Sequence, residues 1–198
     1  PQYLFLNDGN NHHDREAWRY REGGGFDDMT TVHDVMVNAY GRSKSIDEYC
    51  RKSEAVDAMN HRALWEVWNR ASATRKATGV LFWYNNTPIP QLGSHAWDYD
   101  LDQTASFFAQ KNALEPLHVQ YEYLSNRVSV VSDIPAAKHL TVQAEVYDFD
   151  SRKVWEKEVN VKVEGEECVD VFTIPFSTSG LNLAKPHFIK LRLFENKK

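Results

Sequence analysis

Aromatic, amide and ionisable side chains are concentrated in one stretch that begins at Trp83. An indole ring can lie flat against the apolar face of a pyranose, and an asparagine amide both donates and accepts hydrogen bonds with hydroxyls. His95 and Asp98 are three residues apart, so a turn would let them hydrogen-bond and orient the loop. We expect a substrate-binding set made of Trp83, Asn85, Asn86, His95, Trp97 and Asp98. For Trp83 the alternative is plain core packing.

Other reactive residue types lack suitable partners. His12, His13 and Asp14 are metal-ligand types, but adjacent side chains diverge and no third ligand follows at a suitable spacing. Cys50 and Cys168 lie far apart, which fits two small buried hydrophobic residues better than a disulfide. No Ser-His-Asp or Cys-His arrangement has a supporting context. The sequence therefore predicts no metal, no cofactor and no nucleophilic triad.

Composition excludes several classes of partner. The chain has 198 residues, a formal charge of -5, and 42% hydrophobic and 13% aromatic residues. The slight acidity argues against nucleic acid, which binds clustered basic surfaces. No apolar run reaches the ~20 residues of a membrane helix. The chain begins at Pro1 without a charged-then-apolar leader, which fits a processed chain or a trimmed segment. The compartment stays open, and a periplasmic or secreted bacterial parent is one alternative.

The apolar run over residues 77–84 ends at the candidate site. Helical patterns flank this run, ending near Arg70 and resuming near Asp102. A continuous apolar run between helices predicts a parallel strand that is buried on both faces. The order helix, strand, loop and helix is a βα unit, with the candidate residues at the carboxyl end of its strand.

Three helices are expected before the chain changes character. The first, over residues 30–40, stops at Gly41. The second begins with a capping box, in which Ser45 caps free amides and Glu48 reaches back. The first helix carries an apolar stripe of Val32, Val35, Met36, Ala39 and Tyr40. The second carries Tyr49, Val56, Met59, Ala63, Leu64, Trp65, Val67 and Trp68. The third carries Ala105, Phe108 and Asn112 along one side.

Short alternating segments follow Glu115-Pro116. They are LHVQYEYL, RVSVVS, HLTVQAEVYDF, KVWEKEVNVKV, CVDVFTI and HFIKLRLF, with turn residues between them. Alternating apolar and polar residues at this spacing predict an antiparallel β-sandwich. The proline also ends the preceding helix, because the residue before proline avoids the helical region. We therefore expect a domain boundary near residue 116.

Residues 1–116 hold only one convincing parallel strand. A (β/α)8 barrel takes roughly 250 residues. A buried strand also needs neighbours for its backbone amides. We expect this part to be the end of a larger domain, and a small helical layer that folds by itself is the alternative.

Several stretches resemble glycoside hydrolase family 2, in the branch of exo-β-D-glucosaminidase, β-mannosidase and endo-β-mannosidase. ATGVLFWYNN at residues 77–86 and DYDL at 98–101 resemble the last barrel strand and its loop. Residues 105–131 resemble the start of the following sandwich, and WRYREGGG at 18–25 fits the same branch. The most specific stretch is EPLHVQY at residues 115–121.

The resemblance implies an α/β plus all-β chain. Residues 1–116 would be the C-terminal, incomplete portion of a TIM-barrel glycosidase domain, and residues 117–198 an immunoglobulin-like β-sandwich. The parent would hydrolyse β-linked sugars, such as a β-mannoside, β-glucosaminide or β-galactoside, with retention. Barrel sites gather at the carboxyl ends of strands. The resemblance therefore implies that Trp83 lines the subsite of the cleaved sugar and that Asn86 follows it.

The same resemblance places the catalytic residues outside this chain. Retaining glycosidases use two carboxyl groups ~5–5.5 Å apart, one as acid/base and one as nucleophile. In the family both lie on barrel strands that precede the position of Pro1. We expect a solvated helix face for Glu48, Glu54 and Glu66, and no partner of known position for Asp98, Asp100 and Asp102. The expectation is a chain without catalytic residues, inactive alone, whose partners are a carbohydrate and the rest of the parent barrel.

Three departures from the family pattern stand out. Ile89-Pro90 replaces a common Trp-Pro, and Ser94 replaces a frequent Trp, which removes ring surface from the pocket mouth; Trp97 is a candidate replacement. The family has one more strand, ending in Tyr-Trp, where this chain reads ENKK. We expect an open sheet edge, protected by the terminal lysines or filled by another copy in a homo-oligomer.

Two other classes of function stay open at this point. One is a stand-alone carbohydrate-binding or protein-interaction module. The other is a structural linker domain that holds parts of a larger enzyme in place.

Overall fold

The computed structural model describes residues 29–74, 77–83, 85–90, 93, 95–176, 181 and 187–196. The histidines at 12 and 13, the motif at 18–25, Tyr84 and Ser94 lie outside the described residues. Two compact units divide the chain, one within residues 1–65 and 80–112 and the other within 66–79 and 113–198. The assignment of residues 1–116 and 117–198 to a barrel domain and a separate sandwich domain stays a prediction.

In the described part of the chain, six strands follow the last helix, as the alternating segments predict. They are β1 (Leu117–Glu122), β2 (Arg127–Ser132), β3 (Lys138–Asp148), β4 (Lys153–Val163), β5 (Glu167–Thr173) and β6 (His187–Glu195). All described pairings are antiparallel, and they form two three-stranded sheets with the orders β1-β2-β5 and β4-β3-β6. The prediction of an antiparallel β-sandwich is confirmed.

Alternation along the central strands builds the sandwich core. Leu140, Val142 and Val146 of β3 are at most 1% exposed, and Val128 and Val130 of β2 are fully buried. These residues belong to one hydrophobic cluster. Burying a large aliphatic side chain contributes about 1.5–3 kcal/mol, so this cluster is the main stabilising element of the unit.

Among the described residues, three helices precede the strands: α1 (Met29–Tyr40), α2 (Ile46–Ala73) and α3 (Ala105–Ala113). α1 ends as expected, because Gly41 adopts a φ of 72° and donates its N–H to the carbonyl of Val37 at 2.8 Å. Of its predicted stripe, Met36 is buried, whereas Val35 and Tyr40 are exposed. Val37, in place of Val35, packs on a small hydrophobic cluster formed by Met36, Tyr49 and Val56.

The start of α2 differs from the predicted capping box by one residue. Ser45 Oγ accepts the N–H of Glu48 at 3.1 Å, as expected. The carboxylate of Glu48, however, accepts the N–H of Lys44 at 2.9 Å, one residue before the cap. Tyr49 and Val56 are buried in α2, while the predicted apolar residues Met59, Leu64 and Val67 are exposed.

The last two turns of α2 and the strand β5 lie in the same unit and are joined by an ion network. Both guanidinium nitrogens of Arg70 contact the carboxylate of Asp170, at 2.7 and 3.2 Å. Arg127 contacts the same carboxylate at 2.6 Å and Glu122 at 2.9 Å. We call these four residues the Arg70–Asp170 network. A two-pronged guanidinium–carboxylate contact fixes orientation as well as distance, so the network sets the register of the helix on the sheet.

The buried side of α3 is not the one predicted. Ser106, Ala109 and Ala113 are buried, whereas Phe108 is 50% exposed. Small residues at this spacing allow close approach of the helix backbone to its neighbours. The expectation that Ala105, Phe108 and Asn112 share the packed side was wrong, because apolar character was given more weight than size.

The predicted parallel strand over residues 77–84 does not form in this chain. The described residues 77–83 contain no strand, and Leu81 is fully exposed. A strand is held by hydrogen bonds to neighbouring strands, and no described strand pairs with this segment. The βα unit expected around it is therefore also absent from the described residues.

Two further expectations concern the cysteines and the membrane. Cys50 and Cys168 are both free thiols, in agreement with the sequence. Cys50 is exposed, which corrects the expectation of a buried residue. Within the described part of the chain, no helix has the length and apolar character needed to span a bilayer.

The sandwich core predicts a steep contrast between two Leu→Ala substitutions. Leu140→Ala, in the fully buried core, should lower the free energy of unfolding by about 2–5 kcal/mol, because it leaves a cavity. Leu124→Ala, at a side chain that is 98% exposed, should change it by about 0.5 kcal/mol or less. Urea denaturation followed by circular dichroism gives both values, and equal effects would contradict the assigned core.

The Arg70–Asp170 network predicts a contribution to acid stability. The hydrogen bond from Arg70, opposed by burial and supported by Arg127, holds the pKa of the Asp170 carboxyl below its ordinary value. A lowered folded-state pKa means that this stability is present above about pH 4 and is lost as the pH falls through the folded value. Asp170→Asn should therefore reduce the loss of stability on acidification, by no more than the ~0–1 kcal/mol of a partly exposed pair.

Chemical denaturation at a series of pH values between neutrality and pH 3 measures this difference. Asp150→Asn is the matched control, because it removes an exposed aspartate for which the described residues provide no ion pair. The network would be without consequence for stability if the two variants showed the same pH profile.

Candidate functional site

Trp83 is on the surface of its unit. Its side chain is 79% exposed, and Leu81, two residues earlier, is fully exposed. In an extended segment, residues i and i+2 point to the same side. Plain core packing of Trp83 therefore does not describe this chain, and the part of Trp83 in a site stays a prediction.

The loop after Trp83 brings Asn85 and Trp97 together. The carbonyl oxygen of Asn85 accepts the N–H of Trp97 at 3.0 Å. Trp97 also forms an isolated antiparallel bridge with Gln103. Its indole packs at 60° on the ring of Phe107, with the centroids 5.0 Å apart. Asn85 and Asn86 are exposed, so their amides face solvent next to a half-buried indole.

His95 is placed inside the loop rather than at its surface. It is 3% exposed, and a side chain at Gly93 would lie 3.0 Å from its Nδ1. A glycine is therefore required beneath the imidazole ring. The pairing of His95 with Asp98 and the part of His95 in substrate binding both stay predictions.

Asp98 closes a tight turn with its own carboxylate. Its Oδ1 accepts the N–H of Asp102 at 2.9 Å, and its carbonyl accepts the N–H of Leu101 at 3.2 Å. Leu101 adopts a φ of 66°, a left-handed conformation that is uncommon for leucine. One carboxylate oxygen of Asp98 is thus engaged in holding the loop, which leaves the other for a ligand.

Three hydroxyl residues that sequence reasoning did not select anchor this loop. Thr104 and Ser106 both donate to the carbonyl oxygen of His95, and Ser106 Oγ lies 2.7 Å from it. Thr87 is 4% exposed and donates to the carbonyl of Ile89 at 2.7 Å. The signal available in the sequence is the position of Thr104 just before α3, where hydroxyl residues favour local backbone contacts.

The glutamates of α2 do not share one environment. Glu48 forms an ion pair with Lys52 at 2.8 Å, and Glu54 is exposed. Glu66, which was expected on a solvated face, is 7% exposed and lies 3.1 Å from Nε2 of His118. The expectation for Glu66 was wrong, because its partner His118 lies 52 residues further along the chain and cannot be read from helix periodicity.

The described residues contain no group of three His, Cys, Asp or Glu side chains arranged to hold a metal ion. The loop instead offers an exposed indole, two exposed amides and one carboxylate, which are groups that bind neutral hydroxylated ligands. The chemistry of this arrangement is ligand binding and orientation.

Comparison with known proteins shows which family this chain resembles. Residues 125–198 match the family described as Mannosidase Ig/CBM-like domain. The chain is 31% identical over 180 residues to a mannosylglycoprotein endo-β-mannosidase from Lilium longiflorum, covering 89% of this chain and 18% of the relative. It is 34% identical over 153 residues to an exo-β-D-glucosaminidase from Streptomyces avermitilis, covering 75% of this chain and 17% of the relative.

Solved structures agree with the sequence relatives. An exo-chitosanase from Amycolatopsis orientalis, in complex with PNP-β-D-glucosamine, superposes with a TM-score of 0.76 at 26% identity, covering 86% of this chain and 20% of that chain. A β-D-mannosidase from Dictyoglomus thermophilum has a TM-score of 0.76 at 16% identity, covering 90% and 22%, and supports the fold alone. The chain thus spans about a fifth of the length of these proteins.

These matches confirm the predicted resemblance and the immunoglobulin-like character of the sandwich. Residues 125–198 belong to the mannosidase Ig/CBM-like domain family, and the chain is a relative of the glycoside hydrolase family 2 enzymes of the exo-β-D-glucosaminidase and β-mannosidase branch.

Proposed function

We propose that this chain is a segment of a retaining β-glycosidase, in which it supplies the floor of the sugar site but not the catalytic glutamates. The observation that carries the proposal is the exposed indole of Trp83, which follows directly on an unpaired apolar segment. The relationship to β-glycosidases of which the match covers only 18% and 17% supports it.

Residues 77–83 become a barrel strand in the longer protein under this proposal. Leu81 is fully exposed here, and the α2 residues Met59 and Leu64 are 46% and 44% exposed. Exposed apolar side chains on both a helix and an unpaired segment are typical of surfaces that other parts of a protein cover. Neighbouring barrel strands would supply the strand pairing that this segment lacks among the described residues and would bury Leu81.

Trp83 then lies at the carboxyl end of that strand, where barrel active sites are built. Its indole stacks on the apolar face of the sugar that is cleaved, and the amides of Asn85 and Asn86 bond its hydroxyls. Trp97 and Asp98 form the rim, held by the hydrogen bond between Asn85 and Trp97. These residues position the sugar, while two carboxyl groups from the remainder of the barrel perform acid/base and nucleophilic catalysis.

The substrate class follows the relatives, which are named as glucosaminidases and mannosidases. A β-mannoside or β-glucosaminide is therefore the first choice, with a β-galactoside as the third. Asp98 favours an amino sugar, because its second carboxylate oxygen would face a protonated amine. A stand-alone carbohydrate-binding module is the alternative, and catalysis by the longer protein separates the two.

The proposal predicts that the 198-residue chain alone is inactive. Chromogenic β-mannoside, β-glucosaminide and β-galactoside should release no colour above a protein-free blank, because the catalytic carboxyl groups are supplied from elsewhere. Robust turnover by the isolated chain would refute the proposal.

In the longer protein, Trp83→Ala should lower kcat/KM by roughly tenfold or more, since one stacking surface at the cleaved sugar is lost. Leu124→Ala, at an exposed position in the sandwich unit, is the matched control and should leave kcat/KM unchanged. Steady-state kinetics with the best chromogenic substrate measures both, and an unaffected Trp83→Ala enzyme would remove Trp83 from the site.

A further inference from the structure

The outer face of the β4-β3-β6 sheet carries an unusual combination of side chains. Because successive residues of a strand point to opposite faces, the core residues of β3 define which of its residues face outward. These are Thr141, Gln143, Glu145 and Tyr147. Their partners on β6 are Phe194, Arg192, Lys190 and Phe188. We call this surface the outer sheet face.

Aromatic rings stand at both ends of the outer sheet face. At one end Phe149 and Phe188 are 65% and 59% exposed, with ring centroids 5.1 Å apart and planes at 44°. At the other end Phe194 is 47% exposed. Phe188 and Phe194 are separated by about 20 Å along β6, at ~3.4 Å per residue. The rings are therefore too far apart to shield one another from water.

The pair of rings is held in place by the turn between β3 and β4. The carboxylate of Asp148 accepts the N–H groups of Asp150 and Arg152, at 3.0 and 2.9 Å. Ser151 completes the turn with a φ of 60°. Phe149 thus lies in a turn that is fixed by hydrogen bonds. Its exposure follows from the conformation of that turn.

Groups that both donate and accept hydrogen bonds lie between the rings. Arg192 Nη1 donates to Oε1 of Gln143 at 3.0 Å. The hydroxyl of Thr141 lies 2.8 Å from Asn160 Oδ1 and 2.9 Å from Asn196 Oδ1. One hydroxyl has one hydrogen, so it satisfies one of these amide oxygens at a time. The hydroxyl and the two amides form a polar cluster that can hydrogen-bond a ligand.

Charges of both signs lie on the outer sheet face, and four of these charged residues contact one another. Lys153 lies between Glu145, at 3.3 Å, and Glu156. Arg192 approaches Oε2 of Glu145 at 3.5 Å, and this buried oxygen receives no hydrogen bond from the described residues. Opposite charges cancel along the face, which argues against a polyanion or a polycation as its ligand.

The face also differs from a typical protein interface. The centre of such an interface is apolar and depleted of charged residues. Here the centre is polar and charged, and the apolar rings are at the two ends. Rings combined with planar hydrogen-bonding groups match a chain of neutral sugars, whose units each have an apolar face and a hydroxylated edge.

We propose that the outer sheet face binds a neutral oligosaccharide, laid along β6 between Phe188 and Phe194. This site is separate from Trp83 and does not depend on the proposed hydrolytic function. Sugar rings stack on Phe188, Phe149 and Phe194, while Arg192 and Gln143 bond the hydroxyls between them.

Isothermal titration of the 198-residue chain with β-1,4-mannohexaose and cellohexaose tests the proposal. At least one of the two should bind, and Phe188→Ala and Arg192→Ala should each weaken binding by roughly tenfold. Tyr123→Ala is the control, because it removes an exposed aromatic ring that follows β1 in the other sheet. It should leave this binding unchanged.

Several results would overturn the proposal. They are an absence of binding by both sugars at millimolar concentration, or binding that Trp83→Ala abolishes and Phe188→Ala leaves intact. Stronger binding of polygalacturonate or of fully deacetylated chitosan oligomers would contradict a neutral ligand. Sedimentation velocity without sugar tests the remaining alternative, which is that a second copy of the chain binds this face. Self-association that Phe188→Ala abolishes would assign the face to that second copy. Matching circular dichroism spectra ensure that each variant is folded.

Discussion

The need of every backbone amide for a partner decides which parts of this chain are ordered into sheets. The six strands after Pro116 find their neighbours within the chain, and each described pairing is antiparallel. The apolar segment at residues 77–83 has the composition of a buried strand but no described strand beside it. An unpaired strand gains nothing from its apolar side chains, because burial requires the neighbours that would also satisfy its amides.

The C-terminal part of helix α2 contacts the rest of the sandwich unit mainly through polar side chains. Glu66 is buried against His118, and Arg70 reaches both Asp170 and the sulfur of Cys168, at 3.5 Å. Asn69 also donates to the carbonyl of Ala113, at the end of α3. Charged and hydrogen-bonded contacts fix direction more strictly than apolar ones. This part of the helix is therefore placed by geometry, and its exposed Val67 adds little to its docking.

Sequence reasoning recovered the parts of the fold whose partners are close in the chain. All six sandwich strands, the Gly41 stop and the Ser45 cap follow from local patterns of alternation and capping. It did not recover contacts that depend on distant residues. Glu66 looks solvated on a helical projection because His118 is invisible there. In the candidate site, Trp83 and Trp97 could be selected from their residue type alone. The anchoring roles of Thr104 and Ser106 depend on the conformation of the loop, which hydrophobic periodicity does not predict.

Strand β3 is paired on both sides, with β4 and with β6, over nearly its whole length. Its inward residues form part of the core and its outward residues form part of the outer sheet face. Alternate residues of one strand therefore serve two unrelated purposes. A single-codon insertion before Leu140 would exchange the two sets, sending Gln143 toward the interior and Val142 into water. Insertions or deletions in β3 that would change the outer sheet face would also disrupt the core. Selection for a folded core therefore also preserves the register of the outer sheet face.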